Sequence, residues 1–422
     1  MIPIKIIRED PEKIMETLKK RGKEFPLEEL REIDKKWRKR KKEADKLRHK
    51  RNNIGEKIAE KKKKGKQAEE KIEKMQEIKK ELEEKEEETK KLNHKREKLW
   101  MSLPNLLDSE VPKGETEEDN KEISKWGEKL ERNFKTKTHL ELARELNLID
   151  EKASEVTGEG FYYLKNDLAM LDIALQKFTI DKLTEKGYEL IEPPFMLREE
   201  IYKKATNVDK FKEDMYGVKD TDKYLIGTSE HPMAAMHKDE VYQKEELPKK
   251  YVAISPCFRK EAGTHGKYRK GLYRMHQFNK IEQFIVCKPE NEEKYFKELQ
   301  ENAEEIYQEL KIPYRVVILC GGDTPKTQAK TYDVEALMAD GEYREIGSNS
   351  TSKDYQARRM NIKYEKEKYG EREYVYTLNN TGVATSRTML AIMENHQNEK
   401  GEINIPKALQ PYMNGKKKIK KK

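Results

Sequence analysis

Two short stretches hold residue types that could grip a nucleotide. The first is Phe258-Arg259-Lys260-Glu261, followed by the polar loop Ala262–Gly271 and then Met275-His276-Gln277-Phe278. Strand, loop and strand predict an antiparallel hairpin with the loop as its tip. Side chains alternate faces with period two, so Arg259 shares a face with Glu261, and Phe278 shares one with Glu282. If the two faces coincide, a guanidinium, two carboxylates and an aromatic ring surround one cleft. A ring stacks on a base, a carboxylate takes its amino group, and the fork of an arginine holds phosphate. An Arg and a Glu two apart on a strand also make an exposed ion pair, so the pattern alone leaves both readings open.

The second stretch is Asn379-Asn380-Thr381-Gly382-Val383-Ala384-Thr385-Ser386-Arg387-Thr388, running into Met389–Met393. A strand is predicted to give way to a helix at Thr381-Gly382. Arg387 then lies near the first helical turn, where the helix dipole already favours an anion. An arginine lying along its own helix is the alternative. No Gly-rich phosphate loop ending in Gly-Lys-Ser or Gly-Lys-Thr occurs, so any ATP must be held by arginines and a metal.

The elements that must position these residues fall into two groups. From about Leu27 to Leu103 the chain is dense in Lys, Glu and Arg and nearly free of Pro and Gly. Leu30, Ile33, Trp37, Ala44, Leu47, Ile54 and Ile58 follow one heptad register, with Arg40 and Arg51 as polar lapses. Met75, Ile78, Leu82, Leu92 and Leu99 follow a second, interrupted by Lys85, Thr89 and Arg96. Such spacing winds two helices about a shared seam. The break at Lys61-Lys62-Lys63-Lys64-Gly65-Lys66 makes the pair an antiparallel hairpin with arms of roughly 50 Å at about 1.5 Å per residue. It could be a spacer, a dimerisation element or, through the lysines at its tip, a phosphate-binding arm. After a polar linker ending near Trp126, an apolar helix over Leu168–Leu183 alternates with strand-like runs at 188–191, 251–254, 272–287, 314–319 and 374–378. These runs favour an antiparallel sheet over repeated βαβ units. The lysine tail, Lys416–Lys422, is expected to be disordered.

Composition bounds the partners. Charged residues are 41% of the chain and hydrophobic ones only 34%, which fits a solvated charged segment joined to a globular domain. Lys and Arg outnumber Asp and Glu by 90 to 81, a modest excess that suits a polyanion without requiring one. Cys257, Cys287 and Cys320 are scattered, so neither a disulfide framework nor a zinc site is expected, and a reducing cytoplasm fits. No run of 18 apolar residues suggests a membrane span.

The two stretches resemble motifs 2 and 3 of the class II aminoacyl-tRNA synthetases, and Gly187–Pro194 (GYELIEPP) resembles motif 1. Within that class four segments look like seryl-tRNA synthetases: Gly227-Thr228-Ser229-Glu230; Met275–Phe278 with Glu282; Glu345-Ile346-Gly347-Ser348 leading into Asp354-Tyr355-Gln356-Ala357-Arg358-Arg359; and Asn380-Thr381-Gly382. The charged hairpin is similar to the family's tRNA-binding arm, as is the opening Ile6-Ile7-Arg8-Glu9-Asp10-Pro11. The resemblance implies an α+β fold, with a class II antiparallel β-sheet catalytic domain flanked by helices and preceded by an antiparallel coiled-coil arm. The expected division is an arm at 1–112, a catalytic domain at 113–415 and the lysine-rich tail at 416–422.

It also implies a reaction. Serine would be activated by ATP to seryl-adenylate and then passed to the 3′ end of tRNA(Ser), with tRNA(Sec) left open as a second acceptor. The enzyme would be a cytoplasmic homodimer joined through motif 1, without membrane contact. Thr228, Ser229 and Glu230 would line the serine amino end, with Glu282 and Thr381 at its hydroxyl. Arg259 and Arg387 would be catalytic, Arg259 bridging the α-phosphate and the serine carboxylate. The ATP site would comprise Arg259, Lys260, Glu261, Met275, His276, Gln277, Phe278, Glu345, Ile346, Gly347, Ser348 and Arg387. Within it Phe278 and Arg387 would sandwich adenine, and Glu261 would take the adenine amino group. Glu345 and Ser348 would hold Mg²⁺, and the loop Gly263–Gly271 would meet the tRNA end. Ser229, Gly347 and Thr381 depart from the family's frequent Ala, Ser and Ser. Two other readings stay open: class II adenylation of another amino acid or acceptor, and a non-catalytic coiled-coil tRNA binder.

Overall fold

The structure, a computed structural model, describes residues 1–65, 67–128, 131–206, 214–261, 271–367 and 369–421. It separates into two compact units. One comprises Ile2–Glu16 and Glu24–Leu103; the other comprises Met1, Thr17–Lys23 and Pro104–Lys422.

The first unit is built on two long helices, α1 (Leu27–Lys63) and α2 (Glu69–Ser102). Leu30, Ala44, Leu47 and Leu82 are buried along their seam, whereas Ile54 and Ile58 nearer the turn are only half-buried. Polar lapses in the heptads are filled by ion pairs. Arg40 reaches Glu88 across the seam at 3.0 Å and Arg48 reaches Glu86 at 2.6 Å. Arg96 lies 3.6 Å over the Trp37 ring and 3.5 Å from Asp34, which Arg8 and Arg38 also hold at 2.8 and 3.0 Å. These pairs fix the antiparallel register without an apolar residue at every seam position.

In the second unit the described residues form an eight-stranded sheet. Its strands are β1 (Lys121–Trp126), β2 (Glu189–Ile191), β3 (Lys249–Phe258), β4 (Gln277–Cys287), β5 (Tyr314–Ile318), β6 (Lys330–Leu337), β7 (Tyr343–Lys353) and β8 (Tyr376–Ala384). Their order is β1-β5-β6-β7-β8-β4-β3-β2, antiparallel throughout except for the parallel β2–β3 pair. Alternation along β4 assigns its two faces. Ile281 and Ile285 pack into a core with Phe296 and Leu299 of the helix α4 (Glu292–Glu309). Phe278, Lys280 and Glu282 point to the other face, where the sheet is open to a pocket. Helix α3 (Asn166–Glu185) and helix α5 (Thr385–Asn395) share a further core through Leu171, Leu175, Met389 and Ile392.

Three expectations change. Lys121–Trp126, expected as the end of a polar linker, is β1 and pairs with β5. β8 continues through Thr381-Gly382 to Ala384, accommodating a register shift between Thr381 and Val383, and the helix begins only at Thr385. Arg387 therefore occupies the first turn, as its spacing implied. The lysine tail is ordered over its described residues, 416–421. Lys418-Ile419 pairs with Ile403-Asn404, Ile419 is fully buried in the core, and Lys416 and Lys418 pair with Asp167 and Glu402. One buried isoleucine outweighs the charge of its neighbours, which stay at the surface. Most of the loop 263–271 and Lys66 lie outside the described residues.

Candidate active site

A pocket of about 560 Å³ opens on the sheet face opposite α4 and is lined by residues just after β3, by residues of β4, β7 and β8, by Arg387 of α5 and by the segment 227–231. Register explains the convergence. Cys257 opposes Phe278 across β3 and β4, which places Arg259 beside the start of β4, with its backbone N–H donating to the His276 carbonyl at 3.0 Å. Thr381 of β8 opposes Glu282 of β4.

The inner end holds two buried acids. Glu282 is fully buried; Asn379 donates to it at 2.9 Å and the Lys280 ammonium lies 2.5 Å away. Lys280, itself buried, also donates to the Thr228 hydroxyl at 2.7 Å. Glu230 accepts from Gln356 at 2.6 Å and from Gln328 at 3.3 Å. Burial, and then the charge of Glu282, push Glu230 up to about 7, with Lys280 opposing them. His231 lines the same end, and burial followed by the charges of Lys280 and Arg259 drives it down to about 3, so it is neutral.

The outer end is cationic and aromatic. Arg259 sits 5.4 Å from the Phe278 ring centre and anchors its Nε on the Gly227 carbonyl at 3.0 Å. Arg387 lies 4.8 Å over Tyr273 and pairs with the Glu345 carboxylate at 2.7 Å. Burial alone would raise Glu345, but Arg387 and Arg259 outweigh it and hold it below the usual carboxylate range. Glu261, in the left-handed region at φ +50°, is held by Arg274 at 2.8 Å.

Two family models match: the seryl-tRNA synthetase N-terminal domain over residues 1–107, and the tRNA synthetase class II core domain (G, H, P, S and T) over residues 211–396. The serine–tRNA ligase of Nitrosopumilus maritimus is 44% identical over 421 residues, covering 99% of this chain and 100% of that one. That of Thermococcus kodakarensis is 43% identical over 437 residues, covering 98% and 96%. The chain belongs to the seryl-tRNA synthetases. Among solved structures, seryl-tRNA synthetase from Pyrococcus horikoshii complexed with ATP superposes with a TM-score of 0.91 at 42% identity, covering 99% of both chains. The cytoplasmic serine–tRNA ligase of Naegleria fowleri in complex with AMP gives 0.87 at 35% identity, covering 100% and 99%.

The pocket wall gathers Thr228, Glu230, Arg259, Glu261, Phe278, Glu345, Ile346, Gly347, Ser348, Thr381 and Arg387, with Glu282 buried behind it. Four of the residues expected at the ATP site lie off this wall. Met275 and Gln277 face a second cavity of about 170 Å³ that shares Phe278. His276 is bonded to the Tyr216 hydroxyl at 2.7 Å, and the Lys260 ammonium stands 5.9 Å from the Tyr216 ring. Ser229 is fully buried beneath the wall, and its hydroxyl has no partner among the described residues. Gly347 has a steric reason: a Cβ there would come within 3.1 Å of the buried Tyr307 hydroxyl and 3.3 Å of the Thr381 carbonyl.

Sequence reasoning missed Lys280, Gln328 and Asp333, and named Gln356 only within the Asp354–Arg359 stretch, without a role. Lys280 was within reach, since period two places it between Phe278 and Glu282 on one face. Gln328 comes from a distant segment with no shared pattern. Asp333 opposes Ser348 across β6 and β7; its Oδ1 is buried without a partner, and burial followed by the Glu345 charge lifts it well above its ordinary range. Carboxylate and hydroxyl oxygens at Glu345, Ser348 and Asp333 suit a hard cation that takes its other ligands from phosphate and water. Among the described residues there is no closed cluster of three or more His, Cys, Asp or Glu that could hold a metal ion.

Proposed function

We propose that this pocket activates serine with ATP and that the loaded serine is passed to the 3′ end of tRNA(Ser). One observation carries the reading: two buried carboxylates close one end of a pocket whose other end presents two arginines and an aromatic ring. The inner end matches an ammonium and a hydroxyl; the outer end matches a nucleoside triphosphate. Glu230 with Thr228 takes the serine amino group. Glu282 with Thr381 takes the hydroxyl. Phe278 and Arg387 clasp adenine, and Glu261 reads its amino group.

Little acid–base chemistry is required in the first step, because the serine carboxylate is already an anion. It attacks the α-phosphorus in line, the bond to the bridging oxygen breaks, and pyrophosphate leaves. The side chains therefore act by positioning and by neutralising charge. Arg259 lies between the inner and outer ends and orients the carboxylate against the phosphate; Arg387 meets the terminal phosphate. Mg²⁺, held by Glu345 and Ser348 with Asp333 beside them, would add charge neutralisation on the phosphates. In the second step the terminal ribose hydroxyl attacks the activated carbonyl and AMP leaves.

Residues 1–112 act as the tRNA arm, shape-reading and rich in lysine near its turn, and 113–415 as the catalytic domain. We assign the enzyme as a homodimer. Met170 and Ile173 on α3 and Leu190 on β2 are large apolar residues 38, 59 and 47% exposed, and a second copy covering them is the favoured occupant. No described helix is long and apolar enough to cross a membrane, and a cytoplasmic location follows from the proposed role. Aminoacylation of tRNA(Ser) with labelled serine by the full chain tests the reading. Charging is expected, and labelling of the tRNA with another amino acid but not serine would overturn it. Sedimentation at micromolar concentration tests the dimer.

A further inference from the structure

Behind the Phe278 ring lies a group that the reaction does not use. Asp172, on α3, is 7% exposed and points into the 170 Å³ cavity that it shares with Phe278, Asn279, Thr385 and Met389. Its Oδ2 accepts from Asn279 at 2.8 Å and from Gln176 at 2.7 Å. The Thr385 hydroxyl donates to the Asn279 carbonyl at 3.1 Å and lies close enough to the carboxyl to act on it. Asn279 is the neighbour of Phe278 on β4. Thr385 begins α5, two residues before Arg387.

Asp172, Asn279 and Thr385 thus tie three elements together in this cavity: α3, the strand that carries Phe278, and the helix that carries Arg387. Phe278 and Arg387 belong to different segments more than a hundred residues apart in sequence. A stacking clamp loses affinity when its two jaws are free to drift, because ordering them then becomes part of binding. We infer that Asp172 is a positioning residue that sets the spacing between the Phe278 and Arg387 jaws of the adenine clamp, and so determines ATP affinity without touching ATP. This rests on the assignment of those two residues to adenine.

A buried carboxylate held by two amide donors costs free energy that an apolar residue of similar size would avoid. Leu168, Leu171 and Leu175 on the same helix show what that stretch buries where no polar tie is made.

The test is serine-dependent ATP–pyrophosphate exchange by the full chain, with Asp172→Leu, Asp172→Asn and Phe278→Ala. Leucine offers no acceptor to Asn279 and Gln176, so the tie is broken, whereas asparagine keeps an amide oxygen where Oδ2 accepts both bonds. In Asp172→Leu the KM for ATP is expected to rise about tenfold, with the KM for serine within about twofold of wild type. Asp172→Asn is expected to hold ATP affinity to within about threefold of wild type. If Asp172 only stabilises the fold, the thermal midpoint falls while the KM for ATP stays put, and the inference is overturned. It is overturned equally if Asp172→Asn loses ATP affinity as far as Asp172→Leu does. An unchanged KM for ATP in Phe278→Ala would instead remove the adenine clamp itself.

Discussion

Replacing Glu282 with glutamine keeps the volume and one acceptor but removes the charge. In the native site Glu282 is fully buried, accepts from Asn379 at 2.9 Å and lies 2.5 Å from the Lys280 ammonium. Lys280 is 5% exposed, so the substitution leaves a buried cation without a charged partner, with the Thr228 hydroxyl at 2.7 Å as its other short contact among the described residues. Breaking one side of a buried pair costs about 3–5 kcal/mol, part of it in stability and part in the site. A hydrogen bond to a charged group contributes about 1.5–3 kcal/mol, and in this account the serine hydroxyl makes one to Glu282. Exchange kcat/KM with serine should therefore fall by about 10- to 150-fold in the fraction that stays folded. Alanine lacks the hydroxyl and is penalised in the native enzyme by leaving Glu282 unmatched; an unmatched neutral amide costs less. The serine-to-alanine ratio of kcat/KM should fall as well. Glu282→Ala should lose activity and selectivity together. Exchange of either variant with serine near wild type, or an unchanged serine-to-alanine ratio in Glu282→Gln, would refute the reasoning.

Glu230 should give the site a pH dependence. Its carboxyl is pushed up to about 7 in the empty pocket, and only its ionised form pairs with the serine ammonium. Serine affinity should climb about tenfold per unit below pH 7 and flatten above it, as the KM for serine against pH would show. Because Glu282 is the second cause of that shift, Glu282→Gln should move the break to lower pH. Arg259→Lys keeps the charge but loses the fork and the anchor on Gly227, so kcat/KM should fall about 100- to 1000-fold in exchange. In the arm, Asp34→Ala leaves Arg8, Arg38 and Arg96 without their shared carboxylate and should destabilise that unit by about 3–5 kcal/mol. Exchange without tRNA should stay near wild type while the KM for tRNA rises, so a parallel loss of exchange would contradict the division of labour.

How much of this could be read beforehand depended on whether local pattern carried it. Period two on one strand was enough to align Phe278 with Glu282, and carried one step further it would have found Lys280. The heptads gave the arm because a seam repeats, and its lapses at Arg40 and Arg96 make sense only once Glu88, Trp37 and Asp34 are seen across it. Strands β6 and β7 were not foreseen. Asn349, Ser350, Thr351 and Ser352 are all polar, yet all four are buried, because Thr331 bonds Ser350 at 3.0 Å and Asn349 bonds the Phe296 carbonyl at 2.9 Å. Partners that satisfy such polar strands lie far away in sequence, so no window of residues reveals them. Glu230 shows the same limit: the motif named it, but the glutamines that hold it come from 98 and 126 residues away. The lysine tail misled in the opposite sense, since composition averages over the one buried side chain that decides the outcome.

The most direct test is ATP–pyrophosphate exchange without tRNA, run with each standard amino acid in turn. The account predicts exchange with serine, and with threonine and alanine far behind it. Exchange driven by a different amino acid would keep the fold and overturn the assignment of Glu230, Glu282 and Thr381, and no exchange with any amino acid would contradict the reading of this pocket as an adenylating site.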